Sequence, residues 1–127
     1  MSKLKWFRLT GFPIKFSITM NPRSVMNWTK RKKLPTPELR GNLGLTFEAG
    51  PEFLVWVSDK QKPDDLLDTV VHESVHVFQK LCTYIGEDKG DEFEAYTIAY
   101  IVTSMLKEIK KQQESSSAIH EKRETRL

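Results

Sequence analysis

The spacing of apolar positions changes character along the chain, from a two-residue period in the first half to a helical period in the second. From Phe12 to Ile18 the order FPIKFSI alternates behind a proline, which predicts a short strand. Asn21-Pro22 then offers a helix N-cap and a first-turn proline. Val25, Met26 and Trp28 give that helix its apolar side, and the basic run Lys30-Arg31-Lys32-Lys33 ends it. Pro35 and Pro37 make the next segment an irregular loop. Leu43 to Glu48 and Phe53 to Val57 are β-rich and separated by Ala49-Gly50-Pro51, the pattern of a hairpin.

A long helix is predicted from Pro63, with Asp64 and Asp65 suiting its positive end and Gly86 terminating it. Leu67, Val71, Ser74, Val75, Phe78, Leu81, Cys82 and Ile85 fall on one arc of that helix. A second helix is predicted over Asp91 to Lys111, where Ala95, Ile98, Ala99, Val102, Met105, Leu106 and Ile109 recur at helical spacing. The short link between them implies an antiparallel hairpin. Residues 112–127 contain almost no apolar side chains and are expected to form a mobile polar tail, leaving 1–111 as one domain. The fold class expected is α+β, a small antiparallel sheet packed on a helical hairpin.

Charge is distributed unevenly. Residues 1–40 hold ten Lys or Arg and one acid, a net +9, whereas the remainder holds ten basic and sixteen acidic residues, a net −6. Such a front half suits nucleic acid, an acidic partner, or a surface facing the acidic part of its own fold. No recognisable nucleic-acid module surrounds the basic run, so the last two readings are preferred. The single Cys82 excludes an internal disulfide framework and is expected to be a small packed hydrophobe. With no visible signal peptide or membrane span, the protein is expected in the cytoplasm, with no membrane partner.

Chemistry concentrates in Thr69-Val70-Val71-His72-Glu73-Ser74-Val75-His76-Val77-Phe78. Two imidazoles four residues apart on a helix project from adjacent turns of one side and can share one tetrahedral metal ion. A catalytic zinc site keeps one position for water, whose pKa falls to about 7, and a neighbouring carboxylate can take its proton. Glu73 occupies that neighbouring place. His72 and His76 lie at the edge of the apolar arc beside Thr69, Gln79 and Thr83, as a partly solvated cleft requires.

A third ligand must come from elsewhere. His120 falls in the polar tail, and Cys82 points toward the packed arc, which leaves Asp88, Asp91, Glu92 and Glu94. Asp91 and Glu94 have the spacing of a capping box, and Glu92 lies in line with Tyr96, Ala99 and Val102, so Glu92 is preferred.

The uncharged positions around HESVH, with Thr69 three residues ahead, resemble the extended signature of the zincin metallopeptidases. Together with Asp91-Glu92-Phe93-Glu94-Ala95-Tyr96 they look like the small metallopeptidases common in bacteriophage genomes and, more distantly, like the ImmA/IrrE-type peptidases. The Met-Pro pair usual in the latter is absent. The resemblance covers residues 69 to 100. It implies a minimal zincin-like domain with His72, His76 and Glu92 holding zinc and Glu73 as general base, acting on a protein or peptide substrate in the host cytoplasm. Such enzymes also use a Tyr or His to stabilise the oxyanion, a role open to Tyr96. In zincins an extended substrate pairs with a strand near the metal helix, and residues 53–57 are the candidate. The rival reading is a non-catalytic module stapled by zinc, associated with nucleic acid through its basic half.

Overall fold

Each apolar run finds a partner in a three-layer arrangement with a four-stranded sheet at its centre. The computed structural model describes residues 3–9, 11–85 and 91–125, and of residues 91, 92 and 116–125 the backbone alone. The strands β1 (Phe7–Arg8), β2 (Lys15–Thr19), β3 (Gly44–Ala49) and β4 (Glu52–Val57) lie in the order β1-β2-β4-β3. Helix α1 (Pro22–Arg31) covers one face, and α2 (Pro63–Ile85) with α3 (Asp91–Thr125) covers the other.

The centre of the sheet departs from the expected antiparallel pairing. β1 pairs with β2, and β3 with β4, in antiparallel fashion, but β2 and β4 run parallel, with Phe16 opposite Phe53 and Ile18 opposite Val55. The reason is the path of the chain. After β2, α1 carries the chain across one face to the sheet edge, where β3 runs opposite to β2, and the hairpin then returns β4 between them in the direction of β2. The architecture is therefore α+β with a mixed sheet. Asn21 caps α1 as expected, its Oδ1 accepting from the Arg23 N–H at 2.9 Å, with Pro22 in the first turn.

β4 is buried on both faces, which is why FLVWV reads as an unbroken apolar run. Phe53, Val55 and Val57 join Phe16 and Ile18 beneath α2 and α3, where Val70, Val77, Leu81, Ile101 and Met105 meet them. Leu54 and Trp56 pack on the opposite side against Val25 and Trp28 of α1. Trp28 is fully buried, and truncation of so large a side chain to Ala costs about 3–5 kcal/mol. Cys82 is half-buried against the α2/α3 core.

The second helix outruns its expected end. α3 continues to Thr125, where polar composition alone predicts a tail. Gln112 shows what holds its middle: the side chain accepts from the Met20 N–H at 3.0 Å and donates to the Ile18 carbonyl at 2.9 Å, closing the end of β2. Once a helix is nucleated, each further residue of a Gln, Glu or Lys run adds a hydrogen bond at little cost. Among the described residues no helix is long and apolar enough to cross a membrane.

Candidate metal centre

α2 begins as its sequence requires, with Pro63 in the first turn, Asp64 and Asp65 beside the free amides, and the Leu66 N–H bonded to the Lys62 carbonyl at 2.8 Å. Gly86, the expected terminator, lies outside the described residues. The buried face of α2 is rotated from the apolar arc. Leu66, Thr69, Val70, Glu73, Ser74, Val77, Phe78 and Leu81 are buried, whereas Leu67 and Val71 are 48% and 41% exposed. The rotation brings Glu73, a charged residue, under the sheet edge at 5% exposure.

His72 and His76 follow from that rotation, standing on the flank of α2 that faces β3. Their Nε2 atoms lie 3.0 Å apart with the rings at 76° to one another. Two imidazole nitrogens bound to one tetrahedral zinc are about 3.3 Å apart for bonds near 2.05 Å, so a small opening of the pair would admit the ion. Glu73 Oε2 is 3.9 Å from His72 Nε2, and a donor atom from each of the three residues lies within 4.8 Å of the other two. Among the described residues this is the one group of three potential ligands. Neutral imidazole with a carboxylate is a donor set that suits zinc.

β3 fixes the carboxylate. Thr46 Oγ1 donates to Glu73 Oε1 at 2.7 Å. Gly44, two residues earlier on the same face, meets α2 so closely that an added Cβ would lie 2.6 Å from Thr69 Cγ2 and 3.2 Å from Glu73 Cγ. Gln61 ties the start of the strand to the helix: its Nε2 donates to the Leu43 and Ser58 carbonyls at 3.0 and 2.8 Å, and its Oε1 accepts from Thr69 at 2.6 Å. Thr46, Gly44 and Gln61 were not singled out from the sequence. One signal was present, since Gly44, Thr46 and Glu48 alternate with the apolar Leu45, Phe47 and Ala49 and so share a face.

The open sheet edge also belongs to β3 and not to residues 53–57. β4 is paired on both sides, with β2 and with β3, so its backbone offers nothing to an added strand. β3 is an outer strand, with β1 at the opposite edge. The Leu43 carbonyl accepts from the Ser58 N–H at 2.8 Å, one step beyond the Gly44–Val57 pair. By alternation the amides and carbonyls of Gly44, Thr46 and Glu48 point away from β4, along the free edge. Clefts flank the imidazoles along this edge. One of about 410 Å³ is lined by Leu43, Gly44, Asp68, His72 and Glu73 among others, and one of about 210 Å³ by Glu48, His76, Gln79 and Lys80.

Of the candidates for a third ligand, Asp88 and the Asp91 side chain lie outside the described residues. The Glu92 side chain is outside the described residues, and Glu94 is exposed. α3 meets α2 through Ser74, whose hydroxyl is 3.3 Å from Met105 Sδ, and through Phe78, whose ring centroid is 6.0 Å from that of Phe93. These contacts are on a different flank of α2 from the imidazoles. Tyr96 is 75% exposed and lines a separate groove with Leu9, Phe12, Phe93 and Tyr100, so it borders neither cleft beside the histidines. No family model, curated protein or solved structure matches the chain.

Proposed function

We propose that the protein is a zinc-dependent peptidase in which His72 and His76 hold the metal, Glu73 is the general base and β3 receives the substrate. The observation that carries this reading is the convergence of both Nε2 atoms beside a buried carboxylate that lies under an open strand edge. A bound zinc ion supplies Lewis acidity and lowers the pKa of a coordinated water to about 7. Glu73 takes a proton at Oε2 and returns it to the departing amine, while Thr46 keeps Oε1 occupied. The outward amides and carbonyls of Gly44, Thr46 and Glu48 pair with an extended peptide, and the two clefts accept its side chains on either side of the reacting carbonyl. Glu92, at the first turn of α3, is the proposed third ligand on the strength of the DEFEAY pattern.

A metal that merely staples the fold closes all four positions with protein ligands. Here the described donors come from two turns of one helix, and the His72 side chain is 69% exposed, which supports an open position. Hydrolysis of fluorescein-labelled casein by the zinc-loaded protein tests the proposal. Wild type should release label and Glu73→Gln should not, with zinc content equal in both. Equal activity in the two would remove Glu73 from its role.

A further inference from the structure

Glu73 is close enough to the imidazoles to do something other than act as a base. A carboxylate oxygen ligates zinc at about 2.0–2.2 Å, and the donors of His72, Glu73 and His76 already lie within 4.8 Å of one another. A carboxylate drawn onto the metal shares its charge with the cation and is a weaker base toward a neighbouring water. Some feature of the fold must therefore decide between the two roles.

We propose that Thr46 is a positioning residue that withholds Glu73 from the metal and thereby keeps it a base, an inference that rests on the peptidase reading above. Its hydroxyl donates to Oε1 at 2.7 Å, and Oε2 is the oxygen left facing His72 at 3.9 Å. Thr46 can impose this choice because it is not free to follow the carboxylate. It lies inside β3, paired with Val55 of the central strand, and a β-branched side chain has restricted χ1 freedom. Gly44 gives the Glu73 side chain its room on the same face, since a Cβ there would sit 3.2 Å from its Cγ. Among the described residues no Lys or Arg pairs with Glu73, so the Thr46 hydroxyl is the donor that opposes the pull of a cation. Binding of substrate along the edge of β3 would then act on the strand that holds the base.

Metal binding alone provides the test, with Zn²⁺ and Co²⁺ as probes and no substrate. Thr46→Val removes the hydroxyl at nearly constant shape, and Thr46→Ser restores it; folding is checked by circular dichroism, with Thr46→Ala as the alternative should the valine variant not fold. Freed from the strand, Glu73 should swing onto the metal. Zn²⁺ affinity, measured by competition with a chromophoric chelator, should rise about tenfold in Thr46→Val, within the range by which neighbours of metal ligands alter affinity. The visible spectrum of the Co²⁺ form should change with the added ligand. Thr46→Ser should match wild type in both, and Thr46→Val combined with Glu73→Gln should lose the gain. Unchanged affinity and spectrum in Thr46→Val would overturn the proposal. Weaker binding would also overturn it, by showing that Thr46 supports Glu73 as a ligand already in place. Failure of wild type to take up either metal would instead defeat the peptidase reading.

Discussion

Two carboxylates, Glu52 and Glu73, are tucked against opposite faces of the same sheet, among neighbours of opposite kinds. Glu52, at the start of β4, accepts from the Trp28 indole N–H at 3.1 Å and from Lys32 at 2.9 Å, with Lys15 at 3.7 Å. Burial pushes its carboxyl upward, but the hydrogen bonds from Lys32 and Trp28 and the charges of Lys32 and Lys15 outweigh this and hold it below its ordinary value. Glu73 has a threonine hydroxyl and two imidazoles and no cation of the chain among the described residues. A carboxylate whose lone pairs are already taken by ammonium groups can only join α1 to the sheet. Glu73 instead keeps Oε2 turned to His72, with no Lys or Arg among the described residues paired to it. The pairing of Lys15 and Lys32 also shows where part of the basic front half goes: into the protein's own fold.

The contrast breaks most sharply at Glu73. Glu73→Gln should reduce casein hydrolysis by about 10²–10⁴-fold, the usual contribution of a general base, and leave urea stability equal to or above wild type. The opposite pattern is expected at Glu52. Glu52→Ala should cost about 2 kcal/mol in urea denaturation, because it leaves the buried Trp28 indole N–H unpaired and removes the partner of two part-exposed ammonium groups, while zinc content and hydrolysis stay as in wild type. The pH dependence has a definite sign. Since the folded carboxyl titrates below 4.5, the contribution of Glu52 is fully present above 4.5 and is lost as pH falls through its lowered folded value. The stability gap between wild type and Glu52→Ala should therefore narrow on acidification from pH 5 to pH 3. Gly44→Ala should show a smaller effect of about 1–2 kcal/mol, since the added methyl meets Thr69 Cγ2 on the fixed flank of α2. The same change should lower activity by displacing Glu73, which no substitution near Glu52 does.

What the sequence disclosed, and what it withheld, divides along the reach of each interaction. The cap of α1 at Asn21, the start of α2 at Pro63 and the hairpin turn at Gly50, whose φ is +59°, are set by neighbours in the chain and were legible. So was the approach of His72 and His76, which needs only one helical turn. The parallel pairing of β2 with β4 depends on the path through α1 and then β3 and carries no local signal. β1 has only two residues, too few to show a period. The burial of Glu73 was hidden because a hydrophobic arc omits charged residues by construction. Its partner Thr46 lies 27 positions away in the chain, on a strand whose role as the free edge emerges only from the sheet order. Tyr96 matched a helical position but faces another groove, which shows that spacing along one helix does not locate a second helix around it.

Zinc content of the purified chain tests the proposed metal centre most directly. After incubation with excess zinc and removal of unbound metal, wild type should retain about one zinc per chain, and the His72→Ala/His76→Ala double variant close to none. A wild-type chain that retains no zinc, or a double variant that retains as much as wild type, would contradict the account.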